Sequence, residues 1–128
     1  MDTATRALFD RDQTIDFTTI GRRSGEPRRI EIYLHVIDGR LVISGMPSRR
    51  TRAWLRNVEA NPAVTLHITR GPNAGTDAKA TARVITDPTE RRTLLERVAR
   101  TWRRTDVDVM QEYSPLIELT LDGETGSA

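Results

Sequence analysis

The sequence contains no cysteine, a single lysine and only six aromatic side chains among its 128 residues. Without cysteine the chain can form neither disulfides nor thiolate metal sites, which favours a reducing cytoplasm. No apolar run approaches the ~20 residues needed to cross a bilayer, and the charged N-terminus offers no signal-peptide core. We therefore expect a soluble, cytoplasmic protein with no integral membrane segment.

The length is that of one ordinary domain, and no repeat, low-complexity tract or linker divides it. We interpret residues 1–128 as a single domain, with an N-terminal extension or short helix over 1–12 and a loose tail over 122–128.

The net charge is only +2, but nineteen of the twenty basic residues are arginine, whose planar fork binds phosphates and carboxylates. A pI near 9.6 raises the question of nucleic acid. Because basic residues do not alternate with stacking rings on any strand, we expect no nucleic-acid partner.

Alternation with a period of two predicts the strands. Ile30, Ile32, Leu34 and Val36 alternate with polar residues and indicate a half-buried strand. Asp38-Gly39 follows as a tight hairpin turn, since glycine accepts the positive φ of the primed turns. The other predicted strands cover residues 15–20, 41–45, 64–69, 78–86 and 116–121.

Two helices are predicted near residues 51–60 and 88–104. Thr51 is the expected N-cap of the first helix, and Asp87 that of the second. Helical spacing predicts that the second helix faces the barrel with Leu95, Val98, Ala99 and Trp102. Hairpin-linked early strands, with helices in only two gaps, predict a mainly β (α+β) fold: a six-stranded antiparallel barrel with two or three helices.

Several familiar chemistries lack the residues they need. There is no Gly-x-Ser-x-Gly elbow, no Walker-type loop and no Gly-x-Gly-x-x-Gly motif. The two histidines, His35 and His67, fall on the polar faces of two different strands, where we expect surface or barrel-mouth positions. Neither belongs to a His-x-x-x-His motif or neighbours a carboxylate pair, so no metal site is expected.

The turn between the first two strands is the most informative segment. Gly21 and Gly25 lie four residues apart, and the segment between Gly21 and Arg29 offers backbone N–H groups, a serine hydroxyl and four guanidinium groups. Backbone donors and arginine forks acting together suit a phosphate. Taken alone, the segment could equally be a basic hairpin turn.

Two blocks of sequence resemble a known family. Gly21–Arg28 is similar to the Gly-Arg-Lys-Ser-Gly-x-Pro-Arg signature of the deazaflavin-dependent nitroreductase family, within the flavin-binding split β-barrel group. Leu41–Ser44 resembles its core strand, and Ala53–Pro62 resembles its Trp-x-x-Asn-Leu-x-Ala-Asn-Pro helix. The resemblance implies a split β-barrel oxidoreductase that uses reduced coenzyme F420. It would transfer a hydride to a small electron-poor acceptor, either nitroaromatic or quinone-like.

The resemblance also implies a set of site residues. The basic turn would hold the coenzyme's phosphate and acidic tail, the third strand would line its ring, and the first helix would close the cleft. Met46-Pro47 replaces the family's usual Gly-Gly pair, and three following arginines would compensate by supplying cations. The candidate coenzyme-binding residues are Arg22, Arg23, Ser24, Arg28, Ile43, Ser44, Gly45, Arg49, Arg50, Arg52, Ala53, Trp54 and Asn57.

The proton donor and the acceptor site are less defined by the resemblance. Ser44 and Tyr113 are the candidate donors. The family's tyrosine-rich segment before the last strand is absent, and that region holds Trp102, Tyr113, Ser114 and Pro115. An FMN-binding relative of pyridoxamine-phosphate oxidase and a non-catalytic F420 binder are the alternative functions, and a homodimer is an alternative to a monomer.

Overall fold

A computed structural model describes residues 2–123. The elements are α1 (Thr3–Ala7), β1 (Gln13–Ile20), β2 (Pro27–Ile37), β3 (Arg40–Ser44), α2 (Ala53–Ala60), β4 (Ala63–His67), β5 (Asp77–Val84), α3 (Pro88–Trp102), α4 (Val107–Tyr113) and β6 (Leu116–Leu121). All strand pairs are antiparallel and close a barrel in the order β1-β2-β3-β6-β5-β4. The predicted six-stranded α+β barrel is therefore confirmed, with four helices. Of the predicted tail, only Asp122 and Gly123 lie within the described residues.

The interior of the barrel is filled by one face of each strand. Ile15 and Phe17 of β1 and Leu34 of β2 are fully buried there, as period-two alternation predicts. The ring of Trp54, on α2, meets Phe17 edge-on with the ring centroids 5.7 Å apart. This contact holds α2 across one end of the barrel. A buried aromatic pair contributes about 0.5–1.5 kcal/mol of stability in addition to the free energy of burying its apolar surface.

A second apolar cluster lies between α3, α4 and the outer face of the barrel. Leu95, Val98 and Ala99 are buried in it, which confirms that the apolar stripe of α3 faces the barrel. Trp102 is only partly buried at the edge of this cluster. The Asp87 cap is confirmed as well, because its carboxylate accepts a 2.9 Å hydrogen bond from the backbone N–H of Glu90.

Two features of the helices differ from the predictions. The N-cap position of α2 is Arg52, which makes no side-chain capping bond, so the assignment of Thr51 as the cap was wrong. The helix α4 was not predicted, since its β-branched valines and aspartate favour other conformations. Arg91 supplies the missing stabilisation: its guanidinium donates to the carbonyl oxygens of Gln111 and Ser114 at 2.9 Å. Tertiary contacts thus hold this helix.

Both histidines are buried, contrary to the surface positions expected from the sequence. His67 is 8% exposed and lies between the Thr18 hydroxyl and the Asp77 carboxylate, each 2.7 Å from a ring nitrogen. His35 is 1% exposed and packs edge-on against Tyr33 and Trp102. Burial lowers the pKa of His35, and the nearby Asp12 charge opposes that shift. Helix α3 covers the outer face of β2, which strand alternation alone could not reveal.

Two further findings apply to residues 2–123. They contain no cluster of three or more histidine, aspartate or glutamate side chains suited to a metal ion. None of their helices combines the length and the apolarity required to span a membrane.

Candidate active site

A cavity of about 370 Å³ opens between the β1–β2 turn and helix α2. One wall is the basic turn, the opposite wall is formed by the start of α2 with Trp54 and Asn57, and the floor reaches the ends of the two strands. The cavity is lined by Thr19, Gly21, Arg22, Arg23, Ser24, Arg28, Ile30, Ala53, Trp54 and Asn57. Seven of these ten were predicted from the sequence as coenzyme-binding residues.

The turn is shaped by its two glycines and by Ser24. The N–H of Gly21 donates to the Glu26 carbonyl, and that of Gly25 donates to the Gly21 carbonyl, both at 2.8 Å. Gly25 has a φ of +72°, in the left-handed region that favours glycine. A Cβ on Gly21 would lie 2.6 Å from the Ser24 hydroxyl oxygen. That oxygen accepts hydrogen bonds from the Glu26 N–H at 3.1 Å and from Arg28 at 3.3 Å.

Asn57 joins helix α2 to the turn. Its side-chain oxygen accepts a 3.1 Å bond from the Arg22 backbone N–H, and its amide nitrogen donates to the Thr19 hydroxyl at 3.0 Å. Asn57 is 4% exposed, so these bonds are shielded from water. Trp54 lies one helical turn earlier on the same face of α2 and anchors it to the barrel. With this spacing, Trp54 packs against the barrel core while Asn57 binds the turn, so α2 is held against both.

The arginines at this cavity carry uncompensated charge. Within residues 2–123, no carboxylate lies within 4 Å of the guanidinium groups of Arg22, Arg23 or Arg28, all of which are exposed. The next arginine, Arg29, lies on the outer face of the barrel and pairs with Asp16 at 2.8 Å. The cavity thus concentrates positive charge that the rest of the described protein leaves unpaired.

A second cavity, of about 400 Å³, lies on the other side of α2. Arg49, Arg50 and Arg52, predicted to assist the basic turn, line this second cavity instead. Its lining consists of Ser48, Arg49, Arg50, Thr51, Arg52, Leu55, Val84, Ile85, Thr86, Arg91, Gln111, Glu112, Tyr113, Ser114 and Pro115. The predicted arginines therefore fall into two groups: those of the basic turn line the first cavity, and those of the loop after β3 line the second.

The loop from Met46 to Arg52 forms one rim of the second cavity and is tied down at both ends. The Arg52 guanidinium donates to the Met46 carbonyl at 2.8 Å. The Ser48 N–H donates to the Tyr113 carbonyl at 3.1 Å. A Cβ on Gly45 would lie 3.2 Å from the Arg52 guanidinium, so the glycine permits this close approach. The Arg49 guanidinium lies over the Tyr113 ring, 5.4 Å from its centroid.

The predicted residues of β3 line neither cavity. Ile43 is fully buried inside the barrel. Ser44 is 3% exposed, and its hydroxyl donates to the Pro115 carbonyl at 2.7 Å, across the β3–β6 pair. Tyr113, the other candidate proton donor, does line the second cavity. The neighbouring Glu112 charge raises the pKa of Tyr113.

Arg91 also lines the second cavity and was not among the residues predicted from the sequence. It lies on α3, more than 35 positions beyond the basic loop, and no local motif marks it. Burial lowers the pKa of its guanidinium, which is surrounded by backbone carbonyl groups rather than by carboxylates. The pairing of β3 with β6 and the hydrogen bond from the Ser48 N–H to the Tyr113 carbonyl bring its neighbourhood to the loop.

Comparison with known proteins identifies the family. The family model for F420H(2)-dependent quinone reductase matches residues 3–115. A conserved hypothetical protein from Mycobacterium tuberculosis is 20% identical with a TM-score of 0.69, covering 95% of this chain and 81% of that one. An F420-H2 dependent reductase is 19% identical with a TM-score of 0.63, covering 84% and 93%. A putative pyridoxamine 5'-phosphate oxidase from Listeria innocua is 14% identical with a TM-score of 0.64, covering 93% and 89%.

A search of curated proteins gave no match. At these identities the solved structures show a shared fold, the split β-barrel. The family match is stronger evidence than these structural similarities. It spans five of the six strands and every residue that lines the first or the second cavity. The chain belongs to the F420H(2)-dependent quinone reductase family and is an oxidoreductase whose coenzyme is F420.

Proposed function

We propose that the first cavity binds the phosphodiester and carboxylate-rich tail of F420, and that the enzyme reduces a small quinone-like acceptor at the adjoining second cavity. The observation that carries this proposal is the set of three unpaired guanidinium groups, on Arg22, Arg23 and Arg28, around one cavity. FMN carries a single terminal phosphate, whereas F420 carries a phosphodiester and several carboxylates. Three separate arginines therefore suit the longer anionic chain better.

The residues of the first cavity suit such a ligand. The arginines are exposed, so their side chains can close on an anion at little desolvation cost. Asn57 already holds the backbone of Arg22 in place, which reduces the entropy lost on binding. Trp54 and Ile30 supply an apolar surface beside the charged rim. The chain's contribution is thus to bind and to orient.

When bound, the reduced coenzyme supplies a hydride, and a quinone that accepts this hydride together with one proton becomes a quinol. The hydride would carry both electrons to the acceptor, so the residues of this chain need to supply only binding, orientation and the proton. Most of the catalytic effect then comes from holding donor and acceptor in a reactive orientation.

The proton needs a donor near the acceptor. The Ser44 proton is directed to the Pro115 carbonyl, in a buried bond between two strands. Tyr113 lines the open second cavity. The ordinary pKa of a tyrosine lies well above neutral pH and Glu112 raises that of Tyr113 further, so its phenol carries a proton at neutral pH. Of the two candidates we therefore propose Tyr113 as the donor.

Oxidation of reduced F420 by menadione, followed by the return of F420 absorbance, tests the reaction. Turnover that needs the protein supports the proposal. Saturable F420 binding without turnover would leave a coenzyme carrier, and binding of FMN in preference to F420 would favour an oxidase-like relative. A cytoplasmic location and a homodimer stay predictions, and light scattering after size exclusion tests the second of them.

A further inference from the structure

The second cavity has an unusual balance of charge for an acceptor site. Four guanidinium groups face one carboxylate there: Arg49, Arg50, Arg52 and Arg91 against Glu112. Within residues 2–123, none of the four arginines forms an ion pair with a carboxylate. A neutral acceptor would leave this concentration of positive charge without a counterion.

Two of the four arginines are fixed by the fold. Arg52 donates to the Met46 carbonyl at 2.8 Å, and Arg91 donates to the Gln111 and Ser114 carbonyls at 2.9 Å. Their charges therefore persist in the cavity wall, where they contribute a standing positive potential. Each is only partly exposed, so water screens them less than it screens charges on an open surface.

The other two are available to a ligand. The Arg50 guanidinium is exposed and makes no hydrogen bond or ion pair with any described residue. Arg49 lies over the Tyr113 ring at 5.4 Å, which places a cation beside an aromatic face. The walls also include Leu55, Val84, Ile85 and Pro115. This combination suits a flat ring that bears an acidic group.

We propose that the second cavity selects an anionic acceptor: a quinone-like ring of one or two fused rings that carries a carboxylate, sulfonate or phosphate. This inference rests on the proposed function. Arg50 binds the acidic group, with Arg49 beside it, and the apolar walls and the Tyr113 ring hold the acceptor ring. The volume of about 400 Å³ accommodates a ligand of this size. Helix α2 separates this site from the arginines that bind the coenzyme's own anionic tail, so each set serves one ligand.

Two acceptors that differ only in charge test the inference. We would measure kcat/KM for naphthoquinone and for naphthoquinone sulfonate, at saturating reduced F420, in wild type, Arg50→Ala and Arg56→Ala. Arg56 is the matched control, because it is an exposed arginine on α2 that lines neither cavity and pairs with no described carboxylate. We expect wild type to prefer the sulfonate. Arg50→Ala should lower the ratio of sulfonate to neutral kcat/KM by about tenfold, the scale of one charge-assisted hydrogen bond. Arg56→Ala should leave the ratio within about twofold, since exposed charges are screened.

The F420 dissociation constant of each variant, from fluorescence, separates the acceptor from the coenzyme. An unchanged ratio in Arg50→Ala overturns the inference. The inference is also overturned if Arg50→Ala loses enough F420 affinity to account for the whole change in the kcat/KM ratio, because Arg50 would then bind the coenzyme. If no variant oxidises reduced F420 at all, the proposed function fails on its own. Calorimetric binding of naphthalene sulfonate to coenzyme-free protein then decides: about tenfold weaker binding to Arg50→Ala than to Arg56→Ala supports the anion site, and equal or absent binding overturns it.

Discussion

Replacement of Arg28 by alanine should weaken F420 binding without weakening the fold. The guanidinium is exposed, lines the first cavity and, among the residues that the structure describes, donates only to the Ser24 hydroxyl, at 3.3 Å. Its loss breaks no ion pair among the described residues, so the free energy of unfolding should change by less than about 0.5 kcal/mol. The same should hold for Arg22, whose contact with Asn57 is made by its backbone N–H and survives the substitution.

The magnitude follows from the exposure of these side chains. A hydrogen bond to a charged group contributes about 1.5–3 kcal/mol, and solvent screening places an exposed one at the lower end of that range. We therefore expect Arg22→Ala and Arg28→Ala each to raise the F420 dissociation constant by about tenfold. Because the Debye length shortens from about 10 Å at 0.1 M salt to about 3 Å at 1 M, the difference from wild type should shrink at high salt.

Arg29→Ala is the matched control. It removes the same charge one residue away, but Arg29 lies on the outer face, 2.8 Å from Asp16. An exposed ion pair contributes less than about 1 kcal/mol, so folding and F420 binding should both change little. The measurement is the F420 dissociation constant by fluorescence titration at two salt concentrations. Equal weakening in all three variants would mean that only net charge matters, and unchanged binding in all three would place the coenzyme tail elsewhere.

Three further predictions concern the core, the acid stability and the proton donor. Leu95→Ala should lower the free energy of unfolding by about 2–5 kcal/mol in denaturant titration, because its side chain is fully buried. Hydrogen bonds from Arg83 and Arg40 lower the pKa of Glu90 to about 2, so the stability they confer is complete above roughly pH 4.5 and is lost as pH falls toward 2. Urea midpoints over this range should fall less steeply in Glu90→Gln, and an identical slope would contradict the assignment. Tyr113→Phe should lower kcat with an unchanged F420 dissociation constant, and an unchanged kcat would exclude Tyr113 as the donor.

The sequence was informative wherever function and fold depend on local pattern. The strands follow from alternation, and the Asp38-Gly39 turn has positive φ at both residues, as the primed turns require. The first cavity was predictable because eight of its ten lining residues come from two short blocks of sequence, Gly21–Arg28 and Ala53–Asn57. A turn and the helix packed on it need no long-range information beyond the resemblance of each block.

The second cavity could not be predicted, because distant segments build it. The loop after β3 and the end of α4 lie about 60 residues apart in the chain and are brought together by the pairing of Ser44 with Leu116 and by the hydrogen bond from the Ser48 N–H to the Tyr113 carbonyl. The helix α4 is itself held by Arg91 and by the burial of Met110, which no propensity scale registers. Burial of His35 was missed for a related reason: alternation separates two faces of a strand but does not say which of them a helix covers.

The distribution of arginine explains why composition alone was uninformative while position was not. Nineteen arginines and eighteen acidic residues would allow nearly complete pairing. Among the described residues, the paired arginines lie mainly on outer surfaces, as in the network of Arg40 and Arg83 with Glu90 and Glu118. The unpaired ones include seven that line the two cavities beside α2: Arg22, Arg23, Arg28, Arg49, Arg50, Arg52 and Arg91. Clustering like charges costs free energy unless an anion offsets it. A codon bias toward arginine can account for the number of arginines. It cannot account for the separation of paired arginines on outer surfaces from unpaired arginines at the cavities, which anionic ligands on both sides of α2 would explain.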